Sequence, residues 1–246
     1  MDTTRFLTTL DHEGRALAVA AERAGADAPV PTCPDWQVRD LLQHVGTVHR
    51  WAAGLVADGI REPHRPPAPP EFDGAELVAW YRDGHRVLTE TLTSASPDTD
   101  CWTFLPAPSP LAFWRRRQAH ETTVHRFDAE SALGGTPSPI ATDFAVDGID
   151  ELLRGFHSGK RSRVRTPEPR FLRVRATDAD AEWVVRLSPE PPVVTRVGDG
   201  EPEEAGECEL SGPAAQLYLA LWNRVPVPAV AGDTELARLW QETSGI

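Results

Sequence analysis

The stretch RQAHETTVHRFD, Arg117 to Asp128, carries an E-x-x-x-H pair, Glu121 and His125. On a helix, residues four apart share a face, with Cβ atoms about 5–6 Å apart. A carboxylate and an imidazole so placed can grip one metal ion. Arg117, Glu121, His125 and Asp128 follow one another at spacings of 4, 4 and 3 and form one polar line, with Phe113, Val124 and Phe127 beside it. By itself that line is also what a solvated helix face looks like, with Glu121 and His125 as an ordinary polar pair. The distinction rests on whether the chain supplies a third ligand.

Working outward, the helical pattern recurs three times before this stretch. Residues 4–24 repeat Phe6, Leu10, Leu17 and Ala20 at helical spacing and stop at Gly25. After TCPDW (32–36), with Asp35 as expected N-cap, an apolar helix is expected from Trp36 to Val56. A proline-rich loop (58–72) and a third helix from Asp73 to about Thr93 follow. A second loop (94–110) leads to a fourth helix over 111–133, which carries the opening stretch. Four long amphipathic helices predict a helical bundle, an architecture that builds metal sites from inward-facing side chains.

GGTPSP (134–139) reads as a linker, and the pattern changes after it. Residues 142–157 are expected to be helical, and 171–177, 183–187, 192–197 and 207–210 to be strands. GDG at 198–200 is turn chemistry, and helices are expected over 213–223 and from about Asp233. The fold class is therefore a four-helix bundle over 1–135 followed by a smaller α+β domain over 140–246.

The second helix offers two candidates for the third ligand. His44 lies in the apolar stripe Leu41, His44, Val48, Trp51, Leu55, where it needs a buried partner or a metal. His49 lies on another line, with Val38, Leu42, Val45, Ala52 and Val56. The two sit about 140° apart around the axis, so they cannot both face one ion, and periodicity does not choose between them. By the same count His120 points away from His125.

VPTCPDWQVRDLLQHVG (30–46) and FWRRRQAHETTVHRFDAE (113–130) together resemble the mycothiol-dependent maleylpyruvate isomerase family, part of the wider DinB-like group of metal-binding four-helix bundles. The tail is similar too, through DGIDELL (147–153) and LALWNRVP (219–226). The resemblance implies a zinc site, or one for another divalent metal, on His44, Glu121 and His125, which selects His44 over His49. It implies a thiol cosubstrate, mycothiol, whose thiolate adds to the cis double bond of maleylpyruvate. The adduct rotates about the resulting single bond and expels the thiol to give the trans isomer. Related bundles transfer the thiol permanently instead. Arg224 is implied as the catalytic cation that anchors a carboxylate of substrate or cofactor. Its other reading is a charge complementing the end of a helix. Arg117 and Asp128 are expected either to orient the ligands or to pair with each other, and Trp36 to pack the start of the second helix.

Composition bounds the partners. The net charge of −12 argues against nucleic acid, which needs a clustered basic surface. The 25 basic residues, nearly all Arg, still allow a small anionic or electrophilic substrate. Cys33, Cys101 and Cys208 are odd in number and scattered, which is no disulfide framework. No apolar leader and no run of about 18 apolar residues occurs, so a cytoplasmic protein without a membrane span is expected. Two readings from other classes remain on the same fold: a non-catalytic metal- or ligand-binding regulator, and a specialised biosynthetic enzyme acting on another electrophile.

Overall fold

The four amphipathic stripes become four helices: α1 (Thr3–Ala24), α2 (Val38–Ala57), α3 (Gly74–Ser94) and α4 (Pro110–Leu133). In this computed structural model, which describes residues 3–198 and 206–245, the chain divides into two units, Met1–Ser138 and Pro139–Ile246. In the first, α1 packs on α4 and α3, and α2 packs on α3 and α4. The shared core includes Leu17 and Ala21 of α1, Leu41, Leu42 and Val45 of α2, Leu77 and Tyr81 of α3 and Ala129 of α4. Gly14 lets α1 approach α3 closely, since a Cβ there would run into the His85 ring. Two bonds to α1 carbonyls lock that approach: His85 Nε2 donates to Leu10 (3.0 Å) and the Tyr81 hydroxyl to Gly14 (3.2 Å).

The start of α2 differs from the expectation. Gln37, not Asp35, is the N-cap, and Asp40 accepts the Gln37 amide at 2.8 Å. A carboxylate one turn inside the helix thus satisfies an amide just outside it, which leaves Asp35 exposed. Asp73 and Ser109 cap α3 and α4, each accepting a backbone N–H, and Pro110 occupies the first turn of α4 where no amide is missed.

The second unit is α+β, as the pattern implied. Among its described residues five strands, β1 (Arg170–Ala176), β2 (Glu182–Leu187), β3 (Val193–Arg196), β4 (Cys208–Gly212) and β5 (Ala229–Gly232), lie in the order β3-β2-β1-β4-β5. The β1–β4 pair is parallel and the others antiparallel. Leu172, Val174 and Ala176 alternate toward the buried face, and Val174 aligns with Trp183 and Leu210. The helices are α5 (Thr142–Asp150), α6 (Ala214–Leu221) and α7 (Thr234–Thr243). Two features depart from the expectation. The helix over 142–157 changes to a π-helical segment at Glu151–His157, and β5 is an additional exposed edge strand. Of the expected turn at 198–200, Asp199 and Gly200 lie outside the described residues. No described helix is long and apolar enough to cross a membrane.

The π segment ends at His157, a buried imidazole packed 4.6 Å from the Trp240 ring with Nε2 unpartnered. Burial lowers its pKa to about 4. The folded unit therefore binds this proton less well than the unfolded chain, whose histidine has a pKa of about 6.5. The stabilisation is whole above about pH 6.5 and is lost as pH falls toward 4. Urea denaturation should show the second unit weakening across that window by up to about 3 kcal/mol. His157→Phe should flatten the slope, and an unchanged slope in that variant would exclude His157 as its origin.

Candidate metal centre

Helix α4 is buried along its polar line as well as its apolar one: Arg117, His125 and Asp128 are as inaccessible as Phe113 and Val124. The solvated-face reading of the opening stretch is overturned, because each charged group on the line has a partner. Arg117 Nη2 donates to Glu121 Oε2 (3.0 Å). Glu121 Oε1 lies 3.1 Å from His44 Nε2 and 3.4 Å from His125 Nε2. His125 Nδ1 bonds to Asp128 Oδ2 at 2.8 Å. Arg117 and Asp128 therefore each hold one residue of the E-x-x-x-H pair.

The third residue arrives from α2. His44, Glu121 and His125 offer ligand atoms that all lie within 4.8 Å of one another. His49 is elsewhere: it is fully buried, shares a 2.9 Å bond with Thr122 Oγ1 and packs on Tyr81 and His85. Burial, with the neighbouring His85 next in weight, pushes its pKa far down. The stripe through Leu41 and His44 is thus not a core stripe along its whole length, since the His44 side chain remains 38% exposed. The Val38, Leu42, Val45, His49 line is buried along its whole length, whereas on the other line Leu41 and Leu55 are buried and His44 is not. His120 is also buried, edge-on to Phe6.

The donor set fits a divalent ion. Two imidazoles and one carboxylate make a three-residue set of the kind that leaves a catalytic zinc with an open position. Asp128 fixes His125 with its Nδ1 proton directed at a carboxylate and Nε2 directed at Glu121, the arrangement that orients metal-bound histidines. Burial disfavours charge on both Glu121 and His125. Hydrogen bonds outweigh it, from His125 and His44 onto Glu121 and to Asp128 and Glu121 from His125. Glu121 is held well below the usual carboxylate range, and the His125 pKa rises to about 9. The three groups are thereby pre-paired, with a proton on His125 that an incoming cation replaces.

The TCPDW loop, read from sequence only as the lead-in to α2, completes this environment. Thr32 Oγ1 donates to Asp128 Oδ1 at 2.5 Å and Cys33 Sγ to Oδ2 at 3.6 Å. Trp36 stacks on His125 (5.9 Å between centroids, 18° between planes) and lies 5.0 Å from His44. Beside His44 opens a cleft of about 490 Å3, bordered by Asp35, Trp36, Gln43, Thr47 and Pro66. The proline-rich loop that follows α2 lines it through Pro66 and Pro69. Arg224 lies in the second unit, just beyond α6, where its Nη1 donates to the Trp222 carbonyl (2.8 Å). That contact matches its helix-end reading.

Asp128 is fully buried, so its charge is felt by His125 without solvent screening. Asp128→Asn should weaken metal affinity by about 10–100-fold, the usual effect of losing an orienting partner. Competition with a chromophoric chelator would measure it, and an unchanged affinity would remove Asp128 from the site.

Helices that converge two imidazoles and a carboxylate, joined to an α+β unit, define a class: two-unit proteins with a candidate metal centre in the helical part. The chain belongs to the mycothiol maleylpyruvate isomerase family. Residues 7–130 match the mycothiol maleylpyruvate isomerase N-terminal domain, and residues 143–239 match the family's C-terminal domain. Among solved structures, a mutant of the mycothiol-dependent maleylpyruvate isomerase is similar in fold, with a TM-score of 0.64 over 95% of this chain and 94% of that one, at 13% identity. No curated protein matches the chain.

Proposed function

We propose that the protein is a metal-dependent enzyme that uses a low-molecular-weight thiol, mycothiol, to isomerise or capture a small electrophilic acid of the maleylpyruvate type. The observation that carries this reading is the convergence of His44, Glu121 and His125 beside an open cleft in a chain of this family. Zn2+ held by one carboxylate and two neutral imidazoles keeps a net charge near +1 and favours a thiol as its thiolate. The chain's own residues then have separable tasks. Arg117 and Asp128 hold Glu121 and His125 in orientation, and Trp36 covers the two imidazoles. Arg224 is assigned to a substrate carboxylate. In the isomerase reaction the thiolate adds to the activated double bond, the new single bond rotates, and elimination returns the thiol unchanged.

The test is to load the purified protein with zinc, measure stoichiometry, and follow maleylpyruvate by chromatography, for conversion of the cis acid to its trans isomer or to a thiol adduct, in the presence and absence of mycothiol. Thiol-dependent turnover of a stoichiometric zinc protein is the expected result. Thiol recovered free identifies an isomerase, and thiol recovered in the product identifies a transferase. Metal binding without turnover by any thiol would favour a regulator on the same fold.

A further inference from the structure

We propose that Thr32 is a positioning residue of the candidate metal centre: its hydroxyl fixes the Asp128 carboxylate on His125, so the loop that leads into α2 sets how tightly an ion is held. Thr32 acts through Asp128 and His125, and this role rests on the metal-dependent function proposed for the chain. Asp128 is fully buried, and a buried carboxylate needs donors on its oxygens. It stands inside α4, where backbone amides are spent on helix bonds, so its donors come from side chains. His125 Nδ1, three residues back on the same helix, engages Oδ2 at 2.8 Å. Thr32 Oγ1, 96 residues away in the chain, donates to Oδ1 at 2.5 Å. The terminal torsion of an aspartate is soft, so a carboxylate held by one oxygen still turns. Held by both, it keeps Oδ2 directed at the imidazole. His125 then retains its proton on Nδ1 and presents Nε2, which lies 3.4 Å from Glu121 Oε1, to the site.

The hydroxyl is itself preorganised. Pro31 and Pro34 flank Thr32 and Cys33, and a proline fixes its own φ and biases the residue before it toward extended backbone. The loop closes on itself: Cys33 N donates to the Val30 carbonyl (3.0 Å), Trp36 N to Cys33 (2.8 Å) and Val30 N to Trp36 (2.9 Å). A bridge between Pro29 and Gln37 and a bond from Val38 N to the Ala28 carbonyl (2.9 Å) close its neck. Thr32 is β-branched, which restricts its χ1. The loop runs directly into the helix that carries His44. The Thr32–Asp128 bond therefore also ties the start of that helix to the one that carries Glu121 and His125. Cys33 is the weaker neighbour. Its Sγ lies 3.6 Å from Oδ2, the oxygen that His125 already engages, and a thiol is a weak donor.

Wild type, Thr32→Val, Thr32→Ser and Cys33→Ala decide the matter, all as full-length chains. Zinc affinity is read by competition with a chromophoric chelator. The His125 Nδ1 proton is read by its low-field NMR signal in metal-free protein, assigned by its loss in Asp128→Asn. Ligand geometry is read from the visible spectrum of the cobalt-loaded protein. Thr32→Val keeps the side-chain shape and removes the donor. It should weaken zinc binding by about tenfold or more, broaden or abolish the low-field signal and alter the cobalt spectrum. Thr32→Ser should restore all three, and Cys33→Ala should stay within about threefold of wild-type affinity. Wild-type affinity in Thr32→Val, failure of serine to rescue, or an equal loss in Cys33→Ala would overturn the proposal. So would a lowered melting temperature in Thr32→Val with both spectra unchanged, which is the mark of a purely structural role. Zinc uptake without turnover by any thiol, with Thr32→Val weakened as expected, sinks the proposed enzyme alone. Turnover by wild type, with Thr32→Val at full affinity, sinks this inference alone. A wild-type protein that takes up no ion sinks both.

Discussion

The His44→Ala protein will fold normally and hold no stoichiometric divalent ion. His44 borders a cleft and its side chain is 38% exposed, so truncation opens no core cavity. What remains is Glu121 and His125 on one helix, two ligands whose pairing an ion would have to break without a third donor in compensation. Metal affinity should fall by more than the ~100-fold that marks loss of an orienting partner, and thiol-dependent turnover should fall with it. Metal analysis after dialysis, circular dichroism with thermal melting, and the thiol-dependent assay read metal content, fold and turnover respectively. His49→Ala is the informative contrast. His49 is fully buried against Thr122, Tyr81 and His85, so its loss should cost stability by about 2–4 kcal/mol and leave the ion in place. Retention of one ion per chain by His44→Ala, with turnover intact, would remove the proposed centre.

The largest stability effect is expected at Arg126, one residue beyond the E-x-x-x-H pair. Its guanidinium is 1% exposed and is tied to Glu13 on α1 (2.6 Å), to Glu130 one turn on (2.7 Å) and to the Ser138 carbonyl (2.7 Å). It thus joins α4 to α1 and to the segment that leaves the helical unit. Arg126→Met should destabilise that unit by about 3–5 kcal/mol, chiefly because Glu13 is left as a buried carboxylate without its cation. Glu130 suffers less, since the Ser138 amide and hydroxyl still donate to it at 2.7 and 2.9 Å. Adding Glu13→Leu should recover most of the loss, because a buried ion pair replaced as a whole by apolar groups is often neutral in stability. Urea midpoints of wild type, both single variants and the double variant give the coupling directly. A single variant within about 1 kcal/mol of wild type would show that this network contributes little.

Arg126, and the Glu121–His125 line that His44 completes, involve charged side chains that a hydrophobicity pattern assigns to the surface. Helix α4 shows how that happens. Burial on most of its faces puts Arg117, Arg126 and Asp128 inside, so its polar residues mark internal pairing and not solvent. Periodicity reports which residues share a face, but it cannot report what covers the face. The same limit explains His44 and His49. Both lie on apolar lines of α2, and only the packing of α3 and α4 buries His49 and leaves His44 at a cleft. The resemblance through residues 30–46 and 113–130 pointed to His44; the position of α4 beside it gives the physical reason.

Other features were missed for equally local causes. Strand β5 is four residues of Ala, Val and Gly, too short to show an alternation, and exists because β4 offers an edge to pair with. The π-helical turns at 151–157 leave no mark in an apolar pattern. Thr32 and Cys33 looked like loop residues because their partner, Asp128, is nearly a hundred residues away, and the ring on which Trp36 stacks, His125, is almost as distant.

The amino-acid sequence by itself determined the helices of the first unit, the change of pattern after residue 134, and the E-x-x-x-H geometry that puts Glu121 and His125 on one line. These follow from near-neighbour physics: helical spacing, proline and glycine breaks, and strand alternation. The tertiary structure alone decided that this line is buried, that His44 and not His49 meets it, and that Asp128, Thr32 and Trp36 surround the result. Those outcomes depend on which helix faces which, and that is set by packing between residues far apart in the chain.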